Sequence, residues 1–163
     1  MSDFTAMSIN LHPATVHFPI AFLLLASSAG LLYLYWQPKE TLRTLTWWPM
    51  LLGWVGVMVA ILSGLWAQSP LPPQAPYRSL LNWHISTGLA LWVIYGYLLY
   101  QRWIYGKARA RAKTPQPTDP LLAPAARLWL TVLFVLGIGL VLITGRNGGL
   151  LVYTWGVNVL TAP

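Results

Sequence analysis

Four long apolar runs separated by short polar links dominate the sequence. The runs extend roughly over residues 13–36, 46–67, 80–105 and 125–143, and no Asp, Glu, Lys or Arg lies in the middle of any of them. A helix needs about 20 predominantly apolar residues to cross a bilayer. The pattern therefore predicts an all-α integral membrane protein, in which residues 1–163 form a single transmembrane domain built as a four-helix bundle.

Composition agrees with this prediction and excludes several functions. The chain is 56% hydrophobic and 8% charged, whereas an ordinary soluble domain is about 25% charged. The net charge of +7 would suggest nucleic acid in a soluble protein, but here the basic residues lie between apolar runs, as in membrane proteins. The absence of cysteine excludes disulfides, iron–sulfur clusters and covalently attached haem within this chain. Since it has no Gly-rich phosphate loop, nucleophile elbow or paired carboxylates, we expect neither enzymatic activity nor a nucleic-acid partner.

The distribution of basic residues orients the chain in the membrane. Eight of the ten Lys and Arg residues lie in or beside the first and third links, and only Arg78 and Arg146 lie on the other side. Because cytoplasmic loops carry an excess of Lys and Arg, we expect these two links inside and both termini outside. Residues 1–11 contain no basic residue, so the first run is expected to be a retained helix and not a cleaved signal peptide.

Two of the three histidines share a depth in the predicted bundle. His17 is the fifth residue of the first run and His84 is the fifth residue of the third run, and both runs begin on the outer side. If these two helices face each other, both imidazoles can point at one centre. Two neutral imidazoles are the axial ligands that a six-coordinate b-type haem needs. The sequence therefore indicates a haem near the outer face.

The surroundings of these histidines fit the haem interpretation. The residues one turn deeper on the same helix faces are small, namely Ala21 and Gly88. Arg78 and Arg146 are the two bases available on the outer side to pair with haem propionates. We also expect the apolar tail of residues 147–160 to lie in the outer interface or fold over the bundle mouth, because its glycines should break a helix. That would place Trp155 above the histidines.

His12 leaves two alternatives open. It precedes Pro13 and is expected at or before the first helix cap, where it could join His17 and His84 in a zinc or copper site of three imidazoles. In the plainer alternative, all three histidines form hydrogen bonds that hold helices together.

Two segments carry a resemblance to a known family. Residues 11–20 read LHPATVHFPI, and residues 148–153 read GGLLVY, followed by Gly156 and Val157. They resemble the opening and closing signatures of a bacterial membrane protein family, the transmembrane domain of unknown function 2231. The resemblance implies four transmembrane helices in the bacterial inner membrane, association with cytochromes and other redox proteins, and family histidines at positions 12, 17 and 84. The family commonly has histidine where this chain has Trp155, which implies a reduced or lost site here.

Together these observations favour an accessory membrane subunit of a redox or photosynthetic electron-transfer complex. It would contact membrane lipid and other redox subunits and hold one b-type haem between His17 and His84. The alternative is a structural or assembly subunit without a cofactor, and a third possibility uses the same histidines to hold a chlorin pigment.

Overall fold

Four long helices make up most of the structure, a computed structural model that describes residues 12–111 and 117–157 and only the backbone of residues 108–111. They are α1 (His17–Tyr35), α2 (Glu40–Ala67), α3 (Arg78–Arg111) and α4 (Arg127–Tyr153). A helical turn over residues 12–15 leads into α1, and two 3-10 turns, Pro120–Leu122 and Pro124–Ala126, precede α4. The described residues contain no strand, so the all-α prediction is confirmed.

Helix α2 begins at Glu40, earlier than the predicted start at Thr46. Its first turns are polar, so hydropathy alone does not detect them. Glu40 nevertheless suits the first turn because a carboxylate is favoured at the positive end of the helix dipole. It also accepts a hydrogen bond from Nη2 of Arg43 at 2.7 Å. The link from α1 is therefore short, and Pro38 lies in it, where a proline cannot continue the preceding helix.

Helix α4 continues well past the predicted end at residue 143, and the expectation of a glycine-broken tail is wrong for residues 144–153. A glycine costs a helix about 1 kcal/mol relative to alanine, but Gly148 allows α4 to approach α3 closely. The helix ends at Tyr153, and Gly156 in the following turn has a left-handed φ of 61°. The amides of Gly156 and Val157 donate to the carbonyls of Val152 and Leu151, as at a helix C-cap. Residues 158–163 of the predicted tail lie outside the described residues.

The helices form a bundle in which α1 and α3 are diagonal. Helix α1 packs against α2 and α4, and α3 packs against the same two helices. A hydrogen bond of 2.7 Å between the hydroxyls of Ser27 and Tyr95 joins α1 and α3 across the buried centre. Glycine allows close packing of α1 on α4, since a Cβ added at Gly30 would lie 2.5 Å from the ring of Phe134. The bundle core thus combines small residues with large aromatic ones.

The outer faces of the helices are apolar. Three helical segments are long and apolar enough to cross a membrane, namely His12–Tyr35, Glu40–Ala67 and Pro124–Tyr153. Helix α3 is longer than the predicted run at both ends but is not in this set, because its polar residues and its many Trp and Tyr side chains lower its mean hydropathy. Large side chains such as Leu25, Val55 and Val93 are exposed on the outside. The chain is therefore a helical membrane protein with three clear candidate spans.

Candidate imidazole site at one end of the bundle

The structure brings His12 and His84 together at one end of the bundle. Their ring centroids lie 6.2 Å apart and the ring planes are nearly perpendicular, at 87°. His12 lies in the turn that precedes α1, and His84 lies in the second turn of α3. The turn before α1 and helix α3 therefore meet here through imidazoles. Deeper in the bundle, α1 and α3 meet through the hydroxyls of Ser27 and Tyr95.

The ring of His84 is held by helix α4. Its Nδ1 lies 3.0 Å from the carbonyl oxygen of Thr144. A carbonyl oxygen can only accept, so Nδ1 of His84 carries the proton and donates it. In the neutral ring, Nε2 is then left with a free lone pair.

The ring of His12 is held by helix α2 in a similar way. Its Nδ1 lies 3.1 Å from Oγ of Ser63. That hydroxyl donates its single proton to the carbonyl oxygen of Ala60 at 3.1 Å. With its proton on the Ala60 carbonyl, the hydroxyl accepts from His12, and Nδ1 of His12 is then the protonated nitrogen. Both imidazoles thus present Nε2 as the unprotonated nitrogen.

Glycines place the neighbouring backbones against both rings. A Cβ added at Gly64 of α2 would lie 2.9 Å from Cε1 of His12, and one added at Gly148 of α4 would lie 3.0 Å from Cε1 of His84. A real Cβ rarely approaches another atom so closely, and an imidazole ring is stiff. These two glycines therefore let the helices close around the rings, and all four helices contribute to this end of the bundle.

His17 does not join His84 in this structure, which corrects the expected arrangement of the imidazoles. His17 is exposed, as is Ala21 one turn deeper on the same face. Residues two apart in an α-helix point in nearly opposite directions, and the buried residue two positions on is Pro19. Helix α1 is therefore rotated so that His17 faces outwards. His12, five residues before His17, lies at the level of His84, so both its depth and the rotation of α1 keep His17 apart from His84.

The other predicted site residues lie in different surroundings. A side chain at Gly88, one turn below His84, would meet no atom within 4 Å, so there is open space beside it. Nη1 of Arg78 is buried without a hydrogen-bond partner among the described residues. Arg146 is exposed. Trp155 is 45% exposed, and its ring lies 6.1 Å from that of Tyr77, not against an imidazole.

The three-imidazole metal site does not form. Within residues 12–111 and 117–157, no three His, Asp or Glu side chains are close enough together to hold a metal ion. The sequence analysis expected His12 at the helix cap or as a third ligand beside His17 and His84, and it did not include Ser63, Gly64, Thr144 or Gly148 among the site residues. The available signal was that each of these small or hydroxyl-bearing residues lies near the outer end of its run, at the level of the histidines.

The fold and this site define the class of the molecule: an all-helical membrane protein with a pair of imidazoles enclosed between helices at one end. The chain belongs to the family described as predicted membrane protein (DUF2231), whose family model matches residues 8–161. This match confirms the resemblance seen in the opening and closing segments. No curated protein and no solved structure shows a significant match to the chain.

Proposed function

We propose that this protein is an accessory membrane subunit of an electron-transfer complex, and that His12 and His84 would hold the iron of a b-type haem. The single observation that carries the proposal is the imidazole pair with both Nδ1 atoms held and both Nε2 atoms unprotonated. Metal-ligating histidines characteristically donate their other ring N–H to a carbonyl or similar acceptor, which fixes the tautomer and the ring orientation. The proposal keeps the haem interpretation and replaces His17 by His12.

The separation of the rings supports ligation of one metal ion by both imidazoles. When two imidazoles share one metal ion at about 2 Å from each nitrogen, their centroids lie roughly 5 Å apart at a tetrahedral angle and roughly 6 Å apart in line. The observed 6.2 Å lies close to these separations, so the two imidazoles are near enough to hold one metal ion between them.

Features next to the pair also suit a haem. The open space beside Gly88 lies one turn deeper on the face that carries His84. Oγ1 of Thr144 and Nη1 of Arg78 are buried without partners among the described residues. A buried polar atom without a partner costs about 1–3 kcal/mol, so a group that pairs with these atoms stabilises the site. The propionates of haem are anionic and would pair with Arg78.

The chemistry of such a subunit follows from what its residues can do. A bound haem supplies one-electron transfer, and the protein positions it and sets its potential through ligands and burial. The described acids, Glu40 and Asp119, lie at the other end of the bundle, so no carboxylate among the described residues accompanies the two imidazoles. The partners are therefore membrane lipid and other redox subunits, which carry out the reaction itself.

We infer that all four helices span the bilayer, with the imidazole site on the outer side. At about 1.5 Å per residue, the 34 residues of α3 exceed the roughly 30 Å hydrocarbon core. Helix α3 buries Tyr95 and Leu98 inside the bundle, so its lower hydropathy is compatible with a span. The bases beside the first and third links are then cytoplasmic, and both termini lie outside in a bacterial inner membrane.

The deciding experiment compares three histidine substitutions. The protein is purified in detergent together with its native partners, and its absorption spectrum is recorded in the oxidised and the dithionite-reduced state. We expect a reduced α-band in the wild type, its loss or displacement in His12→Gln and in His84→Gln, and an unchanged band in His17→Gln. His17 is the control because it is the same residue type, lies five residues further along the chain than His12 and is exposed. Circular dichroism verifies that each variant is helical.

Other outcomes point elsewhere. Loss of the band in His17→Gln together with its retention in His12→Gln would restore the ligand pair expected from the sequence. A chlorin would be recognised from the spectrum of the extracted pigment. A featureless visible spectrum in every preparation would refute the haem proposal.

The second candidate function is a cofactor-free structural subunit. The close approach of Gly64 and Gly148 to the imidazole rings favours it, since rings packed in this way also act as helix-joining groups. In that case His12→Gln and His84→Gln weaken the assembly or lower the melting temperature, and no spectrum changes.

A further inference from the structure

A small polar pocket lies at the opposite end of the bundle from the imidazoles. It has a volume of about 130 Å³ and lies between the start of α2 and the later part of α3. Its lining residues are Glu40, Arg43, Thr44, Trp47, Trp48 and Arg102. This is the end that carries most of the basic residues of the chain.

Arg102 reaches this pocket with its hydrogen-bonding capacity unused. Its guanidinium carbon lies 5.0 Å from the centre of the Trp47 ring, so the group stacks on an aromatic face. In the described part of the chain no acceptor forms a hydrogen bond with it, and no carboxylate lies within the 4 Å of an ion pair. A stacked guanidinium keeps its in-plane N–H donors free for a ligand.

The carboxylate of Asp119 is already engaged by other donors. Asp119 is 4% exposed, and both of its carboxylate oxygens are occupied. Oδ2 accepts from Nε1 of Trp47 at 2.8 Å, and Oδ1 accepts from the backbone amide of Leu121 at 2.9 Å. The carboxylate therefore fixes the ring on which Arg102 stacks, while the guanidinium remains available.

Arg43 adds a second cation that is only partly neutralised. Its Nη2 and Nε donate to a single oxygen, Oε1 of Glu40, at 2.7 and 3.2 Å. Nη1 of Arg43 is left for another acceptor. The lining thus holds two guanidinium groups and one carboxylate, a net positive charge, in a pocket large enough for a phosphate group.

We propose that this pocket binds a phosphate group, held by Arg102 and Arg43 from two adjacent helices. Guanidinium groups match phosphate oxygens with charge-assisted hydrogen bonds, and basic pockets between transmembrane helices bind anionic lipid headgroups. The neighbouring Trp47 and Trp48 are the kind of residue that marks the headgroup level. The phosphate belongs either to an anionic phospholipid or to free inorganic phosphate. This inference does not depend on the haem proposal.

The test measures both sources with the full-length protein in neutral detergent. Native mass spectrometry counts bound phosphatidylglycerol and phosphatidylcholine, and calorimetry measures binding of inorganic phosphate. We expect phosphatidylglycerol to bind more tightly than phosphatidylcholine, whose choline offsets the phosphate charge. Arg102→Gln and Arg43→Gln should each weaken binding about tenfold, the effect of losing a charge-assisted hydrogen bond.

Arg127→Gln is the matched control, because Arg127 also stacks on a ring at this end, 4.3 Å from the centroid of Tyr35, but lies outside the pocket. The affinity of the Arg127→Gln variant for the phosphate ligand should stay within about twofold of the wild-type affinity. Binding of inorganic phosphate alone, with the same ranking of variants, identifies a free anion as the ligand. If neither ligand binds, or if Arg127→Gln loses as much affinity as Arg102→Gln, the proposal is overturned. If Arg102→Gln does not fold, Arg102→Lys replaces it in the test. This variant keeps the positive charge but lacks the planar guanidinium, so it should still bind the phosphate ligand less tightly than the wild type.

Discussion

Removing the carboxylate of Asp119 should weaken the contact between α2 and the link that joins α3 to α4. This carboxylate accepts one hydrogen bond from the indole of Trp47 and one from the amide of Leu121. The indole is 3% exposed, so in Asp119→Ala its N–H becomes a buried donor without an acceptor. A hydrogen bond to a charged group contributes about 1.5–3 kcal/mol. We expect the two bonds together to lower the free energy of unfolding by about 3–5 kcal/mol.

A double-mutant cycle separates the contribution of the hydrogen bond between Trp47 and Asp119 from the other effects of each substitution. Trp47→Phe removes the donor, and the coupling free energy between Trp47→Phe and Asp119→Ala should be about 1.5–3 kcal/mol. The assay is unfolding of the four proteins in mixed micelles by increasing sodium dodecyl sulfate, followed by circular dichroism. Trp48→Phe is the control, since the neighbouring ring is exposed and should change stability by less than about 0.5 kcal/mol. A coupling free energy below about 0.5 kcal/mol would refute the reasoning, because the two groups would then stabilise the fold independently.

Three further predictions follow from packing, topology and ligand chemistry. Gly137→Ala should destabilise the bundle by about 1–3 kcal/mol, because its Cβ would lie 2.5 Å from the hydroxyl of Tyr95. Gly139→Ala is the control, since no atom lies within 4 Å of the added Cβ, and it should be neutral or slightly stabilising. Thermal unfolding in detergent measures both variants. The chain has no cysteine, so a single introduced cysteine can report the topology. A membrane-impermeant maleimide should label Gln74→Cys in intact cells but Gln37→Cys only after permeabilisation. The reverse labelling pattern would invert the proposed topology. Acidification should abolish the reduced α-band, since a ligating imidazole must be neutral; a band that persists at acidic pH would argue against imidazole ligands.

Much of the fold could be predicted from the sequence because lipid imposes simple requirements on it. The number of long helices, the apolar outer faces and the absence of strands among the described residues all follow from four apolar runs of spanning length. The depth of a residue along a helix is a matter of counting at about 1.5 Å per residue. This count placed His17 and His84 near the same end of the bundle, but His12, five residues before His17, is the imidazole that contacts His84.

Helix ends were less predictable where local preference and packing disagree. The glycines of α4 indicated a break, yet Gly148 is helical because its missing side chain allows α4 to approach His84. The start of α2 at Glu40 lies outside the predicted apolar run because the first turns of the helix are polar. At Gly148 the helix is stabilised by its contact with another helix, whereas at Glu40 it is stabilised by a local ion pair with Arg43.

Only the tertiary structure decided which histidine faces the interior. A helix that packs in water shows its inward face as an apolar stripe, but α1 is apolar nearly all round and carries no such mark. Its rotation is set by contacts along its whole length, among them Ser27 against Tyr95 and Gly30 against the ring of Phe134. Those contacts turn His17 outwards, while His12, in the turn before α1, is the imidazole that meets His84. The sequence by itself determined the helices and the level of the site, and the packing of four helices determined the pair of residues that forms it.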